Sequence, residues 1–462
     1  MIRGSMAIVA FALLASAFAP PAAADEGSFL HVSDIHFDPF VPADVARLLP
    51  ATDTDAWAAR FAAAADQSFS KYGKDTNHPL LASALPAIAR AGAAADFVIV
   101  TGDLLSHGFQ ADAEKVLGFP QGSAANDAFA VRTSLFVIES LRNALPGKPI
   151  LLSLGNNDSS CGDYKLDPGG AYLAATREAV RRLAGADLVA TDFDETYLAG
   201  GYYAARHPTL ADTTIVVLDD VLWSDEYENA CGTGGLEAAT GMLTWLETQL
   251  ATAKASGGKV WLMHHIPVGQ DAYATTHSKA ATCAAKVVPM LREPFASTYV
   301  RLLAEYGDVV AASFVGHTHF DDYRLLRDVS GNVTGVEKIA PAISPIFGQN
   351  PGFLVFTYNK ASGAVADFTA MYLTNLEAAA APAAGDWQAE YSFAATYGQT
   401  DFSPVAAEAM WKTLSEEGTA DDTFRRLYNV SKGELAADGL DAYICAIGHA
   451  DAAGFRECYC GG

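Results

Sequence analysis

Basic residues are scarce in this chain: 30 Lys and Arg stand against 54 Asp and Glu in 462 residues, a formal net charge of −24. A surface of that sign repels nucleic acid polymers and anionic membranes at long range, which excludes both as electrostatic partners. Any anionic substrate then has to be attracted locally, as bound cations would do. Beyond the N-terminus no apolar stretch reaches the ~20 residues that span a bilayer, so no transmembrane segment is expected. Internal repeats are absent, and no low-complexity tract exceeds a general alanine richness. What remains is half apolar and 18% charged, the balance of a folded globular protein.

The first residues read as a secretory signal. Arg3 supplies the positive start, Met6 to Phe18 is an apolar run too short to span, and Pro20-Pro21-Ala22-Ala23-Ala24 offers a small-residue cleavage site after Ala24. Residues 1–24 are therefore expected to be a signal peptide and the mature protein to be secreted or periplasmic. In an oxidising compartment the six cysteines (Cys161, Cys231, Cys283, Cys445, Cys458 and Cys460) are expected to pair. Six cysteines admit fifteen connectivities, among which spacing does not choose. Cys458-Tyr459-Cys460 lacks the two-residue gap and the second pair of a cysteine zinc site.

Short apolar strands alternate with helical stretches from Ser28 to Met371, a pattern that argues for an α/β fold. Apolar residues at three- and four-residue spacing predict helices over Leu80–Ala91, Asp127–Leu145, Gly241–Ala255 and Val287–Tyr306. After His319, four segments beginning at Tyr323, Val333, Phe353 and Val365, with turn signals between them, read as consecutive antiparallel strands. Leu376 to Gly385 reads as a linker. Residues 386–462 are expected to form a small helical subdomain held by a disulfide, with helix starts at Ser403-Pro404 and Thr419-Ala420-Asp421.

Five polar clusters carry the chemistry, each placed directly after an apolar run that reads as a buried strand. They are Asp34-Ile35-His36, Gly102-Asp103, Gly155-Asn156-Asn157-Asp158, His264-His265 and Gly316-His317-Thr318-His319. Ligands of α/β sheets bind where the carboxyl ends of strands meet. Asp, His and Asn are the donors that hard or borderline divalent cations take. Two cations ~3.5–4 Å apart need a shared ligand, and Asp103, at the end of a central strand, is the candidate bridge. Asp34 with His36, and His317 with His319, stand two apart on extended chain and project to one side. A lone D-x-H or H-x-H occurs by chance in many chains; the ordered set of five is specific.

This ordered set resembles the calcineurin-like metallophosphoesterase superfamily, whose pattern is D-x-H, G-D, G-N-H-[DE], a later H and G-H-x-H. Within it the chain is most similar to the acid sphingomyelinase and acid sphingomyelinase-like phosphodiesterase branch. Thr101 to His107, His265-Ile266-Pro267-Val268-Gly269 and Gly316 to Tyr323 carry that similarity, and the tail from Trp387 to Cys458 adds to it. The saposin-like domain that precedes the catalytic region in true acid sphingomyelinases is not expected in this protein. The resemblance covers nearly all of 25–462 and implies a sandwich of two mixed β-sheets flanked by helices over 25–375. It implies one metal on Asp34, His36, Asp103 and His319, and a second on Asp103, Asn156, His265 and His317. It favours two zinc ions, while manganese and iron also suit the donor set. His264 is expected to face away, behind the site. Cys231–Cys283 and Cys445–Cys458 fit the branch's disulfides, which leaves Cys161 and Cys460 unassigned.

One position departs from the pattern. Asn157 stands where the superfamily has a histidine, and an amide cannot give up and recover a proton near neutral pH. His107, four residues after Asp103 and matching an active-site histidine of the branch, becomes the candidate general acid. The expected chemistry is hydrolysis of a phosphate ester by a metal-bridging hydroxide, with Asn156 and His107 stabilising the transition state. Expected substrates are small soluble phosphodiesters, nucleotides or phospholipid head groups. The alternatives are a true sphingomyelinase releasing phosphocholine and, from another class, a catalytically silent metal-binding protein. Tyr273 and His277 are candidates to line the substrate cleft, whereas His31, His78, His207 and His449 have no partner at ligand spacing.

Overall fold

The computed structural model describes residues 26–227, 235–416 and 422–461. The expected signal peptide, Cys231 and the helix start at 419–421 lie outside them. Fourteen strands are present among the described residues: β1 (Glu26–Val32), β2 (Phe97–Thr101), β3 (Ile150–Ser153), β4 (Tyr203–Arg206), β5 (Thr213–Val217), β6 (Lys259–Met263), β7 (Gln270–Asp271), β8 (Val288–Pro289), β9 (Val310–Val315), β10 (Asp322–Arg327), β11 (Val333–Ile339), β12 (Gly352–Asn359), β13 (Val365–Leu373) and β14 (Trp387–Ser392).

Two six-stranded sheets result, in the orders β14-β13-β12-β1-β2-β3 and β10-β11-β9-β6-β5-β4. Strands β1, β2 and β3 run parallel in the first sheet, and β5, β6, β9 and β11 run parallel in the second. The central parallel strands are continuous apolar runs, such as Phe97-Val98-Ile99-Val100, because both of their faces are covered. The sheets pack face to face through an aromatic seam. The Phe29 ring stacks on Phe97 and Phe356 of its own sheet and meets Trp261 and Phe314 of the other at 5.3 and 5.2 Å. With helices on the outer faces, this is the expected sandwich of two mixed sheets.

The four segments after His319 do pair as hairpins, but in different sheets. β10–β11 close the edge of the second sheet, and β12–β13 join the first beside β1. The expected helix over Val287–Tyr306 forms only at Phe295–Glu305: Pro294 occupies its N-cap, and Val288–Pro289 pairs as β8 with β7. The stretch expected to be a linker is packed. Leu376 and Ala379 are buried with Phe69, Leu80 and Leu373, and the chain then re-enters the first sheet as β14. The helical C-terminal region thus follows β14 rather than starting at residue 386. Its helices Pro404–Glu416 and Leu440–Gly448 lie against β10 and β11, where Tyr323 donates to the Ala407 carbonyl at 3.1 Å and Arg327 to that of Gly448 at 3.2 Å.

Cys445 pairs with Cys458 as expected. The Cys231–Cys283 pairing is corrected: Cys283 bonds Cys460, 177 residues away. The last helix, Ala452–Cys460, lies alongside the helix Cys283–Lys286, which brings these two residues to a Cα separation of 5.7 Å. Cys161 is also disulfide-bonded. No helix among the described residues is long and apolar enough to cross a membrane. Proteolysis under non-reducing conditions is expected to yield one fragment joining the Cys283 and Cys460 peptides; a Cys231–Cys283 fragment would overturn this arrangement.

Candidate metal centre

The carboxyl ends of β1, β2 and β3 meet those of β6 and β9 from the opposite sheet, and the polar clusters stand on the turns that leave them. Those turns are sharp. Asp34, His36, Asp103, His317 and His319 all hold positive φ, between 43° and 71°, a conformation costly for residues other than glycine. Gly102, at φ +86°, precedes Asp103; a Cβ there would sit 2.6 Å from the Gly155 nitrogen and 2.9 Å from His265 Nδ1. The β2 and β3 turns therefore approach each other more closely than any side chain would allow. Backbone bonds hold the geometry: Asp34 N–H donates to Gly102 O and His36 N–H to Asp103 O. Across the sheets, His317 N–H donates to the Asp34 carboxylate at 3.1 Å.

Asp103 lies at the middle. Its Oδ2 is 3.2 Å from His36 Nε2 on one side and 3.3 Å from His265 Nε2 on the other. On the first side, His319 Nε2 is 3.0 Å from His36 Nε2 and 3.4 Å from Asp34 Oδ1. On the second, Asn156 Oδ1 is 2.9 Å from both His265 Nε2 and His317 Nδ1. All seven sequence-predicted donors thus converge in two groups that share Asp103.

The donor set itself tests the fit to cations. His36 Nδ1 and His265 Nδ1 donate to the Leu105 and Thr101 carbonyls at 2.9 and 2.6 Å, which directs the Nε2 lone pair of each ring inward. Asn156 Nδ2 donates to Asp163 at 2.7 Å, so its carbonyl oxygen also faces inward. Acceptor therefore meets acceptor where His36 faces Asp103 and where His265 faces Asp103 and Asn156, an arrangement that needs positive charge between the groups. The titration behaviour expresses the same need. Burial opposes a charge on His36, yet Asp103 holds it well above the usual imidazole range. His265 is pushed up to about 10 against burial, again by Asp103. Burial disfavours the Asp103 carboxylate, but His265 and His36 keep it well below the ordinary range. The residues fit a pair of divalent cations.

Asn157 does not face the open site. Its backbone N–H donates to Asp103 Oδ1 at 2.8 Å and its side-chain amide to Oδ2 at 3.1 Å, so it grips the central carboxylate. Asp158 ties the β2 and β3 turns together, accepting from the Leu104 and Gly155 N–H groups at 2.8 and 3.0 Å. His264 points away, as expected, into a buried cluster with Asp220, Tyr299 and Glu337. His31 lies between the sheets against Thr101, and burial lowers it to about 3. His107 stands at the site: its ring stacks on His36 with centroids 4.0 Å apart. Its Nδ1 meets Asp75 at 3.1 Å, and its backbone N–H bonds the same carboxylate at 2.9 Å. Asp75 also accepts from Ser344 at 2.9 Å. The sequence reading missed Asp75 and Asp163, which sit in loops and match no strand-end pattern.

A cavity of about 510 Å³ opens beside His317 and Phe347, and Tyr273 and His277 line it as expected, stacked 4.2 Å apart.

Comparison with known proteins agrees with this geometry. Residues 27–321 match the family model described as calcineurin-like phosphoesterase, and 329–460 match that of the acid sphingomyelin phosphodiesterase C-terminal region. The cyclic GMP-AMP phosphodiesterase SMPDL3A of Rattus norvegicus is 27% identical, over 96% of this chain and 94% of its own length. The sphingomyelinase phosphodiesterase C of Dictyostelium discoideum is 24% identical, over 94% and 92%. The human (Homo sapiens) acid sphingomyelinase-like phosphodiesterase 3b is 25% identical, over 95% and 91%.

Loading the cation-free protein with zinc is expected to release protons, because His36 and His265 hold them until a cation replaces them. Affinity should therefore rise with pH. Calorimetry in two buffers of different ionisation enthalpy measures the release, and a heat independent of buffer would place the cation elsewhere.

Proposed function

Because the chain belongs to the calcineurin-like phosphoesterase family and is a phosphoric ester hydrolase, we propose that it is an exported diesterase of small soluble phosphodiesters working with two divalent cations. The single observation that carries this reading is the position of Asp103, whose Oδ2 lies between His36 of one donor group and His265 of the other, each group drawing donors from both sheets. Asp34, His36, Asp103 and His319 would hold one cation, and Asp103, Asn156, His265 and His317 the other; two nitrogens and two oxygens in each set suit zinc, manganese and iron, and the family resemblance favours zinc. Such a pair, when bound, neutralises phosphoryl oxygens and acidifies water. The disulfides support a secreted or periplasmic setting.

The chain's own groups do the rest. Asn157 fixes the orientation of Asp103 and so keeps both donor groups in register. With Nδ1–H of His107 donated to Asp75, its Nε2 is the nitrogen left to serve the site; the doubly protonated ring gives the Nε2 proton to the departing alkoxide and is left neutral with its proton on Nδ1. Asp75 is a positioning residue: it sets the His107 tautomer and holds the ring over His36. Asn157 therefore takes the position of the superfamily histidine without its proton chemistry, which passes to His107.

The relatives' names support a diester substrate, and one of them supports the runner-up, cleavage of sphingomyelin. Comparing release of phosphocholine from micellar sphingomyelin with turnover of a soluble diester decides between the two. Chelation is expected to abolish turnover of bis(p-nitrophenyl) phosphate, and added zinc or manganese to restore it. Two bound metals without turnover of any ester would instead mark a silent metal-binding protein.

His107→Ala is expected to lose about 10²–10⁴-fold in kcat on alkyl esters, and much less on aryl esters, whose leaving groups need no proton. Asp75→Asn should show the same leaving-group dependence with a loss of about 10- to 100-fold. Equal losses on alkyl and aryl esters would remove His107 from the acid role.

A further inference from the structure

The two donor groups are held from outside in different ways. In the first, His36 Nδ1 donates to the Leu105 carbonyl, and Asp34 accepts from the Ser33 hydroxyl and the His317 N–H. The Nδ1 of His319 has no hydrogen-bond partner among the described residues. In the second group, His265 is again fixed by a backbone carbonyl, that of Thr101. Asn156 and His317 are fixed by side chains instead, and both belong to one dipeptide, Asp163-Tyr164. Asp163 Oδ1 accepts from Asn156 Nδ2 at 2.7 Å, and Tyr164 Oη lies 3.3 Å from His317 Nε2.

His317 is the exception among the imidazoles of the site. His36, His265 and His319 turn Nε2 towards the centre, whereas His317 presents Nδ1, 2.9 Å from Asn156 Oδ1. A neutral imidazole carries one N–H, so Nδ1 keeps its lone pair for a cation only while the proton sits on Nε2. The Tyr164 hydroxyl oxygen is the acceptor placed there. The dipeptide is also built onto a ligand that it holds: Tyr164 N–H donates to the Asn156 carbonyl at 2.9 Å, and Lys165 N–H closes the turn on the Gly162 carbonyl at 3.1 Å. Tyr164 has φ +52°, a left-handed conformation costly for a tyrosine. That turn brings two consecutive side chains, which an extended chain would point apart, onto one donor group. The loop is pinned at Cys161, which is disulfide-bonded, and at Leu166, whose carbonyl accepts from the Tyr227 hydroxyl at 3.2 Å. Asp163 itself is exposed, so its carboxylate holds Asn156 without being buried in the core.

We propose that Asp163 and Tyr164 are positioning residues that set how tightly the second cation is held, by fixing the amide of Asn156 and the tautomer of His317, and that they leave the first cation unaffected. The proposal rests on the two-cation reading above. It makes the two sites unequal: a surface loop governs one, and the turns that leave the sheets govern the other. Tyr164 also lines the cavity of about 510 Å³, so a substituent packed against its ring bears on the second cation rather than the first.

The test uses the full-length mature protein, stripped of metal and titrated with zinc against a chromophoric chelator. The unmodified protein is expected to take up two zinc ions per chain. In Asp163→Ala and in Tyr164→Phe the affinity for one of them is expected to fall about 10- to 100-fold, the scale of a lost outer partner of a metal ligand, while the other is bound as before. Asp163→Asn still offers Asn156 an oxygen acceptor and should recover most of the loss. Two backgrounds assign the affected ion. With His36→Ala only the second donor group is complete, and adding Asp163→Ala should weaken the remaining zinc by the same factor. With His265→Ala only the first is complete, and adding Asp163→Ala should change nothing. The Tm of the cation-free chain should be the same with and without each substitution at 163 and 164, and its rise at a fixed zinc concentration should shrink. Unchanged affinity in either single variant removes that residue from the role. Unchanged affinity in both, an equal loss at both ions, or a lower Tm of the cation-free variants overturns the proposal. Uptake of fewer than two zinc ions by the unmodified protein would instead overturn the two-cation reading itself.

Discussion

The site depends on one carboxylate. Asp103 is buried between His36 and His265, which two different sheets deliver, and its Oδ2 is within 3.3 Å of both. Its position fixes how close the two sheets' turns must come, and much of the surrounding chain serves that closeness. Within the first sheet, Gly102 and Gly155 remove side chains where the β2 and β3 turns meet, Asp158 binds those two turns together, and Asn157 grips the carboxylate by backbone and side chain. Five donors in left-handed backbone represent conformational energy that the aromatic seam between the sheets offsets.

The electrostatics follow from that packing. Carboxylates and imidazoles are placed acceptor to acceptor with their outer nitrogens committed to backbone carbonyls, so the interior is left short of positive charge. Protons on His36 and His265 meet that shortage in the cation-free chain, and divalent cations meet it more fully. A protein of net charge −24 thereby concentrates the attraction for an anionic ester in one crevice.

The C-terminal region is part of this crevice. Tyr428 and Tyr443 face the same cavity as Tyr164 and Phe347, and the Cys283–Cys460 bond ties the last helix to the segment that carries Tyr273 and His277. The cavity beside the donor groups is thus walled jointly by the turns that leave the sheets and by residues of the C-terminal region.

The strand-end donors were legible from sequence because each follows an apolar run whose end can be located by pattern, and because their residue types admit one kind of chemistry. The α/β class and the turning of His264 away from the site were readable for the same reason, whereas the two-group division of ligands came from the family resemblance alone. Asp75 and Asp163 were not, since both lie in loops without periodicity. The amide of Asn157 was legible as a chemical limit, but its grip on Asp103 was not. The pairing of Cys283 with Cys460 was equally out of reach, because fifteen connectivities differ only in which distant segments meet. By itself, then, the sequence determined which elements form and which donors end them, as both are matters of local pattern. Tertiary structure alone decided which acid orients His107, how Asn157 grips Asp103 and that Cys283 meets Cys460, because each is a contact between segments whose separation in space no spacing along the chain encodes.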